Sequence, residues 1–154
     1  MKVRRAVAGD AAGISGFLEE LKAIGKRRLP CDRDFVLQTY IEGADTIRCS
    51  VAEDAGGDLI GIQILKHATE TNPYGVAPGW GIIGTHVSPR AARRGVGKAL
   101  FAASLAAARE AGLEKVDASI GADNVEGLAY YEAMGFRTYR TPDGKICKCL
   151  EISR

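Results

Sequence analysis

Apolar and polar positions alternate or recur at helical spacing along nearly the whole chain, and each run ends at a turn former. Residues of about 2–8 read as a first strand, with Asp10 placed to cap the helix after it. Ile14, Phe17, Leu18 and Leu21 keep helical spacing until Gly25. Lys26–Pro30 is a loop, and a short helix around Phe35, Val36, Tyr40 and Ile41 stops at Gly43. Residues of about 45–53 and 58–67 form two strands joined through Asp54–Gly57, with Ile60, Ile62 and Ile64 marking one face. After a loop over Thr69–Pro78 comes a strand of about 80–88, then an alanine-rich helix that closes at Gly112. Val116, Ala118 and Ile120 alternate as a strand, and Asn124–Met134 is a helix ended by Gly135. Two last strands, about 136–140 and 145–152, pair across Pro142–Gly144. The order β-α-α-β-β-β-α-β-α-β-β predicts one α/β domain over 1–154, a mixed sheet with helices on its faces.

The start of the alanine-rich helix breaks the pattern. Gly95 and Gly97 fall in its first turn, where each costs roughly 1 kcal/mol against alanine. Bare backbone there suits close approach to the amides, and the positive end of a helix dipole favours an anion such as phosphate. Arg90, Arg93, Arg94 and Lys98 crowd the same turn. A nucleotide P-loop is excluded: Ala92 takes the place of its first glycine, and Ala99 follows Gly97-Lys98 where Ser or Thr would hold magnesium. A dinucleotide fingerprint fails too, with two glycines instead of three and a position past the chain's midpoint.

Val87-x-Pro89, the basic turn, Gly95-x-Gly97 and the helix behind them resemble the acetyl-CoA-binding motif of GNAT-family N-acetyltransferases. Asn124-x-x-Gly127-x-x-x-Tyr131-Glu132-x-x-Gly135-Phe136 is similar to a second block of that family, and the early Arg4-Arg5-Ala6 strand to its opening. The element order fits over essentially the whole chain. One departure is Ala92, which stands where the family carries Gln or Arg; Arg93 and Arg94 stand beside it to supply charge.

The resemblance implies a GNAT fold, a mostly antiparallel sheet splayed at its centre, with the acyl carrier's pantetheine arm lying between the parted strands. It places His86, Val87 and Ser88 along that arm, Arg93, Arg94, Gly95, Val96, Gly97 and Lys98 around the pyrophosphate, and Asn124 at the cofactor or at its own helix cap. Tyr131 matches the family's tyrosine at the sulfur. A phenol near pKa 10 protonating a thiolate near 8.5 runs uphill by roughly 2 kcal/mol, so a hydrogen bond to the departing sulfur is its expected role. Tyr130 should point elsewhere, into the core or toward the acceptor. The strand before the phosphate turn holds no carboxylate, which leaves His86 as the candidate base, in competition with Glu70 and a water chain. The acceptor pocket is expected from the Gly25–Asp34 loop, the short helix and the Thr69–Pro78 loop, with Tyr74 and Trp80 as wall or anchor; Lys26, Arg27 and Arg28 face either an anionic acceptor or solvent.

Composition changes little in this picture. A net charge of +2 gives no global basic field for nucleic acid, and no apolar run is long enough to cross a bilayer. Met1–Arg5 lacks the apolar core of a signal peptide, so Cys31, Cys49, Cys147 and Cys149 are expected as reduced thiols in a cytoplasm. Cys147 and Cys149 have no histidine or second pair near them in sequence, so no metal is expected. The reading is acetyl-CoA-dependent transfer to a primary amine by direct attack. Its alternative is a non-catalytic acyl-CoA-binding module, and a homodimer through the last hairpin is open.

Overall fold

The strands and helices follow the expected order in the computed structural model, which describes residues 1–91 and 94–153. The strands are β1 (Lys2–Arg5), β2 (Thr46–Glu53), β3 (Leu59–His67), β4 (Gly81–Val87), β5 (Lys115–Gly121), β6 (Arg137–Arg140) and β7 (Lys145–Glu151). The helices are α1 (Ala11–Ala23), α2 (Arg33–Phe35), α3 (Val96–Glu110) and α4 (Val125–Ala133). The short second helix is wider than its spacing suggested: Asp32 caps it at the Phe35 N–H (3.1 Å), and it continues as a π-helix over Val36–Ile41.

Seven strands form one sheet in the order β1-β2-β3-β4-β5-β7-β6. Every neighbouring pair is antiparallel except β4–β5, which is parallel and needs α3 as its crossover. Alternation along the strands sends Ile62 and Ile64 to one face, against Ile14, Phe17 and Leu18 of α1 and Val36. Leu65, Ile83, Val116, Ala118 and Ile120 go to the other, against Ala108 of α3, Tyr131 of α4 and Phe136. The sheet therefore separates an α1/α2 side from an α3/α4 side.

Asp10 stands before α1 as expected but makes no side-chain cap bond to it. Its carboxylate turns back instead, accepting from the Val7 N–H (2.8 Å) and from both terminal nitrogens of Arg4 (2.8 and 2.9 Å). The bidentate guanidinium outcompetes one helix amide for the same oxygens.

Candidate active site

β4 and β5 pair only at Gly81↔Val116 and Ile82↔Asp117, then part. Beyond Ile83 β4 keeps β3 on one side and, among the described residues, has no strand on the other. The Ser88 N–H donates to the Ile60 carbonyl at 2.8 Å, which fixes the alternation of the ladder. His86 and Ser88 turn their amides to β3; the Ile83 amide completes the last β4–β5 pairing, and those of Thr85 and Val87 turn into the gap. This corrects part of the expected arm site: of His86, Val87 and Ser88, Val87 presents its amide. Ser88 is committed twice, since its carbonyl also accepts from the Ala91 N–H (2.9 Å). Thr85 is the donor the motif did not flag.

At the mouth of the gap α3 begins. Gly95 is its N-cap in a left-handed conformation (φ 74°), which is why glycine stands there. A capping side chain would consume first-turn amides; Gly95 has none, and among the described residues no side chain caps the N–H groups of Val96, Gly97 and Lys98, which suits an anion there. Arg94 and Lys98 are exposed beside them, and the Val96 side chain packs into the core. Arg93 and Ala92 lie outside the described residues. Gly97 has a different cause from the one its position suggested. A Cβ there would come within 2.6 Å of the Tyr130 ring, so its bareness makes room for a tyrosine.

That tyrosine belongs to a polar chain on the α3/α4 side. Tyr130 donates to the Gly97 carbonyl (2.7 Å) and accepts from Gln63 Nε2 (2.9 Å). Gln63 also donates to Thr85 Oγ1 (2.9 Å), which lies 2.7 Å from Tyr131 Oη. With Thr85 already accepting from Gln63, its own proton can go to Tyr131, freeing the phenol proton for a ligand in the gap. Burial pushes Tyr130 up to about 12 and raises Tyr131 as well, so both are neutral donors. Gln63 was missed in sequence, although a fully buried amide amid Ile60–Leu65 was a signal. Asn124 caps α4, accepting from the Gly127 N–H at 3.0 Å, and its amide nitrogen stays available to a ligand.

The α1/α2 side of the gap holds His86. Its Nε2 lies 3.3 Å from Arg27 Nη1, and since a guanidinium only donates, the imidazole lone pair is the acceptor. Burial, then the Arg27 charge, lowers its pKa to about 3. With its Nε2 lone pair engaged by Arg27 and its pKa lowered by burial, His86 is poorly placed for the expected role of base. Glu70 is exposed in its loop. Trp80 stacks on Tyr139 (5.4 Å between centroids) and Lys115 lies over it (5.3 Å), while the Tyr74 carbonyl accepts from Arg140 (2.6 Å). Both aromatics therefore anchor their loop to β5 and β6.

A carboxylate does stand at the gap, on the strand that sequence reading passed over. Asp117 of β5 sits where the β4 pairing ends and is fully buried. It accepts from Ser119 Oγ (2.9 Å) and from the Tyr139 hydroxyl, with Arg140 Nη2 at 4.0 Å. Burial raises its carboxyl above the usual range against the pull of those donors. Ser119, half-buried, lies beyond the last paired residue and opens onto the gap.

A splayed parallel pair with an open helix start at its mouth fits a phosphate-bearing ligand with an extended arm, and the comparisons agree. Residues 18–136 match the model of the acetyltransferase (GNAT) family. Mycothiol acetyltransferase of Saccharomonospora viridis is 36% identical over 92 residues, covering 59% of this chain and 30% of that protein. Aminoglycoside N(6')-acetyltransferase type 1 of Stenotrophomonas maltophilia is 31% identical over 101 residues, covering 62% of this chain and 60% of that one. The chain thus spans about a third of the mycothiol acetyltransferases it matches. In fold it is similar to a GCN5-related N-acetyltransferase from Kribbella flavida (TM-score 0.78, 19% identity, 97% of this chain and 96% of that). It is also similar to yncA from Salmonella typhimurium with its cofactor acetyl-CoA (TM-score 0.72, 16% identity, 99% and 94%).

Proposed function

This chain belongs to the GNAT acetyltransferase family, and we propose that it moves the acetyl group of acetyl-CoA to a primary amine by direct attack in a ternary complex. The observation that carries this reading is the parting of β4 from β5 after Ile82 and Asp117, flanked by the uncapped start of α3. The amides of Val96, Gly97 and Lys98 hold the pyrophosphate, with Arg94 and Lys98 adding charge. The Val87 and Thr85 amides pair with the pantetheine arm and polarise the thioester carbonyl, whose oxygen gains charge as the amine attacks. Asn124 contributes its amide nitrogen at the α4 end.

Asp117 is the base in this scheme. The acceptor nitrogen gives a proton to Ser119 Oγ as Ser119 passes its own to Asp117 Oδ1, along the 2.9 Å bond already in place. The new N–C bond forms, the C–S bond breaks, and Tyr131 donates a hydrogen bond to the departing thiolate. Its raised pKa makes full proton transfer to sulfur more uphill than for a free phenol, so it stabilises the leaving group and keeps its proton. The polar chain from Gln63 through Thr85 exists to aim that hydroxyl, which suits turnover better than storage of an acyl-CoA.

The test is thiol release from acetyl-CoA across a panel of primary amines, with the acetylated product identified by mass. Amine-dependent release with one acetyl added per thiol freed supports the reading. Tight acetyl-CoA binding with no release for any amine would leave the non-catalytic module as the better account.

A further inference from the structure

Arg27 is the most unusual charged residue in the fold. It is 6% exposed, yet among the described residues no carboxylate lies within 4 Å of it. Its terminal nitrogens meet three neutral acceptors: the Pro30 carbonyl (2.6 Å), Tyr40 Oη (3.1 Å) and His86 Nε2 (3.3 Å). The Phe35 and Tyr40 rings stand 5.8 and 5.7 Å from its guanidinium carbon. Its Nε is buried with no hydrogen-bond partner. A guanidinium has five N–H donors, and these contacts use three.

Burying a charge without a counter-ion is costly, and cation–π contacts offset only part of it. A chain needing only a tie between the α1–α2 loop and β4 could use a neutral donor. The position of this cation gives it another use. It reaches β4 at His86, on the α1/α2 side of the strand whose opposite side carries Thr85 and Tyr131. The acyl donor occupies the gap and the α3 end, so the acceptor comes from the α1/α2 side and meets Arg27.

We propose that Arg27 is an anion subsite of the acceptor pocket and that the acceptor is an amino carboxylate. Its carboxylate meets the guanidinium charge and takes the remaining Nη1 N–H, while its amine reaches Ser119 and the thioester. Phe35, Tyr40 and His86 hold the guanidinium plane in one orientation, which a flexible ammonium would not keep. The inference rests on the proposed acetyl transfer and narrows its substrate.

The experiment compares each of several L-amino acids with its own primary amide under saturating acetyl-CoA, in wild type, Arg27→Met and Arg27→Lys. A lost charge-assisted contact predicts a wild-type kcat/KM ratio, acid over amide, of about 30 or more, carried mainly by KM. The ratio falls to within about threefold of unity in Arg27→Met and to an intermediate value in Arg27→Lys, which keeps the charge but not the fixed donor plane. A wild-type ratio near unity, with amides turned over well, overturns the inference and leaves acetyl transfer standing. A high ratio that survives in both variants also overturns it, because another group then reads the carboxylate. If Arg27→Met does not fold, the wild-type and Arg27→Lys ratios decide. Absence of acetyl-CoA binding by folded wild type removes both readings, and direct titration separates that case from the others.

Discussion

Tyr131→Phe is expected to lower kcat by about two orders of magnitude while acetyl-CoA affinity changes by less than about threefold. The substitution deletes one oxygen. The ring stays in its place against Phe136, 5.2 Å between centroids, and against Tyr130, 4.9 Å, so the packing of α4 on β5 survives. What is lost is a hydroxyl held 2.7 Å from Thr85 Oγ1, which the proposed mechanism needs only when negative charge collects on sulfur. Interactions realised in the transition state and not in the ground state appear in kcat and leave binding alone. Tyr130→Phe is the internal control: its hydroxyl serves the Gly97 carbonyl at the helix start, so its loss should act on cofactor binding. Single-turnover kinetics with calorimetric binding of acetyl-CoA reads both. A kcat unchanged in Tyr131→Phe contradicts the assigned role.

Asp117→Asn is expected to lower kcat/KM at neutral pH by about a hundredfold and to remove the acid limb of the pH profile. In the proposed mechanism the group works as a carboxylate. Activity is therefore full above its folded pKa and falls as pH drops through it. Because burial raises that pKa from 3.8, the limb lies above the range of an exposed aspartate. The amide keeps the volume and can still accept from Ser119, but it cannot take a proton. Leaving Tyr139 and Arg140 beside a neutral side chain costs some stability, so a thermal melt accompanies the kinetics. Ser119→Ala separates the two roles: it breaks the relay and leaves the carboxylate in place. An acid limb that persists unchanged in Asp117→Asn would mean that the base is elsewhere.

Sequence carried the architecture because each element announces itself locally, by period and by a terminal glycine. The two motif blocks were legible for the same reason, since each reads in one stretch and names the start of α3 and Tyr131 as candidates. The residues that sequence misplaced depend on neighbours distant in the chain. Asp117 lies between Val116 and Ala118 and reads as the polar face of an ordinary strand. Only the β6 tyrosine, 22 residues on, shows that this face is covered. Arg27 sits in a basic run of three that suggested solvent as readily as an acceptor, yet it is tied to Tyr40 and to His86 of β4. Gly97 was linked to a ligand, and its tight neighbour is Tyr130, 33 residues away. Which β4 amides face the gap follows from ladder parity, set by the Ser88–Ile60 bond. Alternation alone fixes side chains to faces, and leaves the choice between the two amide sets open.

The central claim is that the parted strands and the start of α3 hold acetyl-CoA, and calorimetric titration tests it most directly. Wild type is compared with Arg94→Glu/Lys98→Glu, two exposed positions whose reversal leaves the core untouched. Gly97 is a poorer choice for this purpose, since any side chain there also displaces Tyr130. The account predicts one-to-one micromolar binding by wild type, weakened about tenfold or more in the double variant. Equal binding by both proteins, or none by a folded wild type, would contradict it.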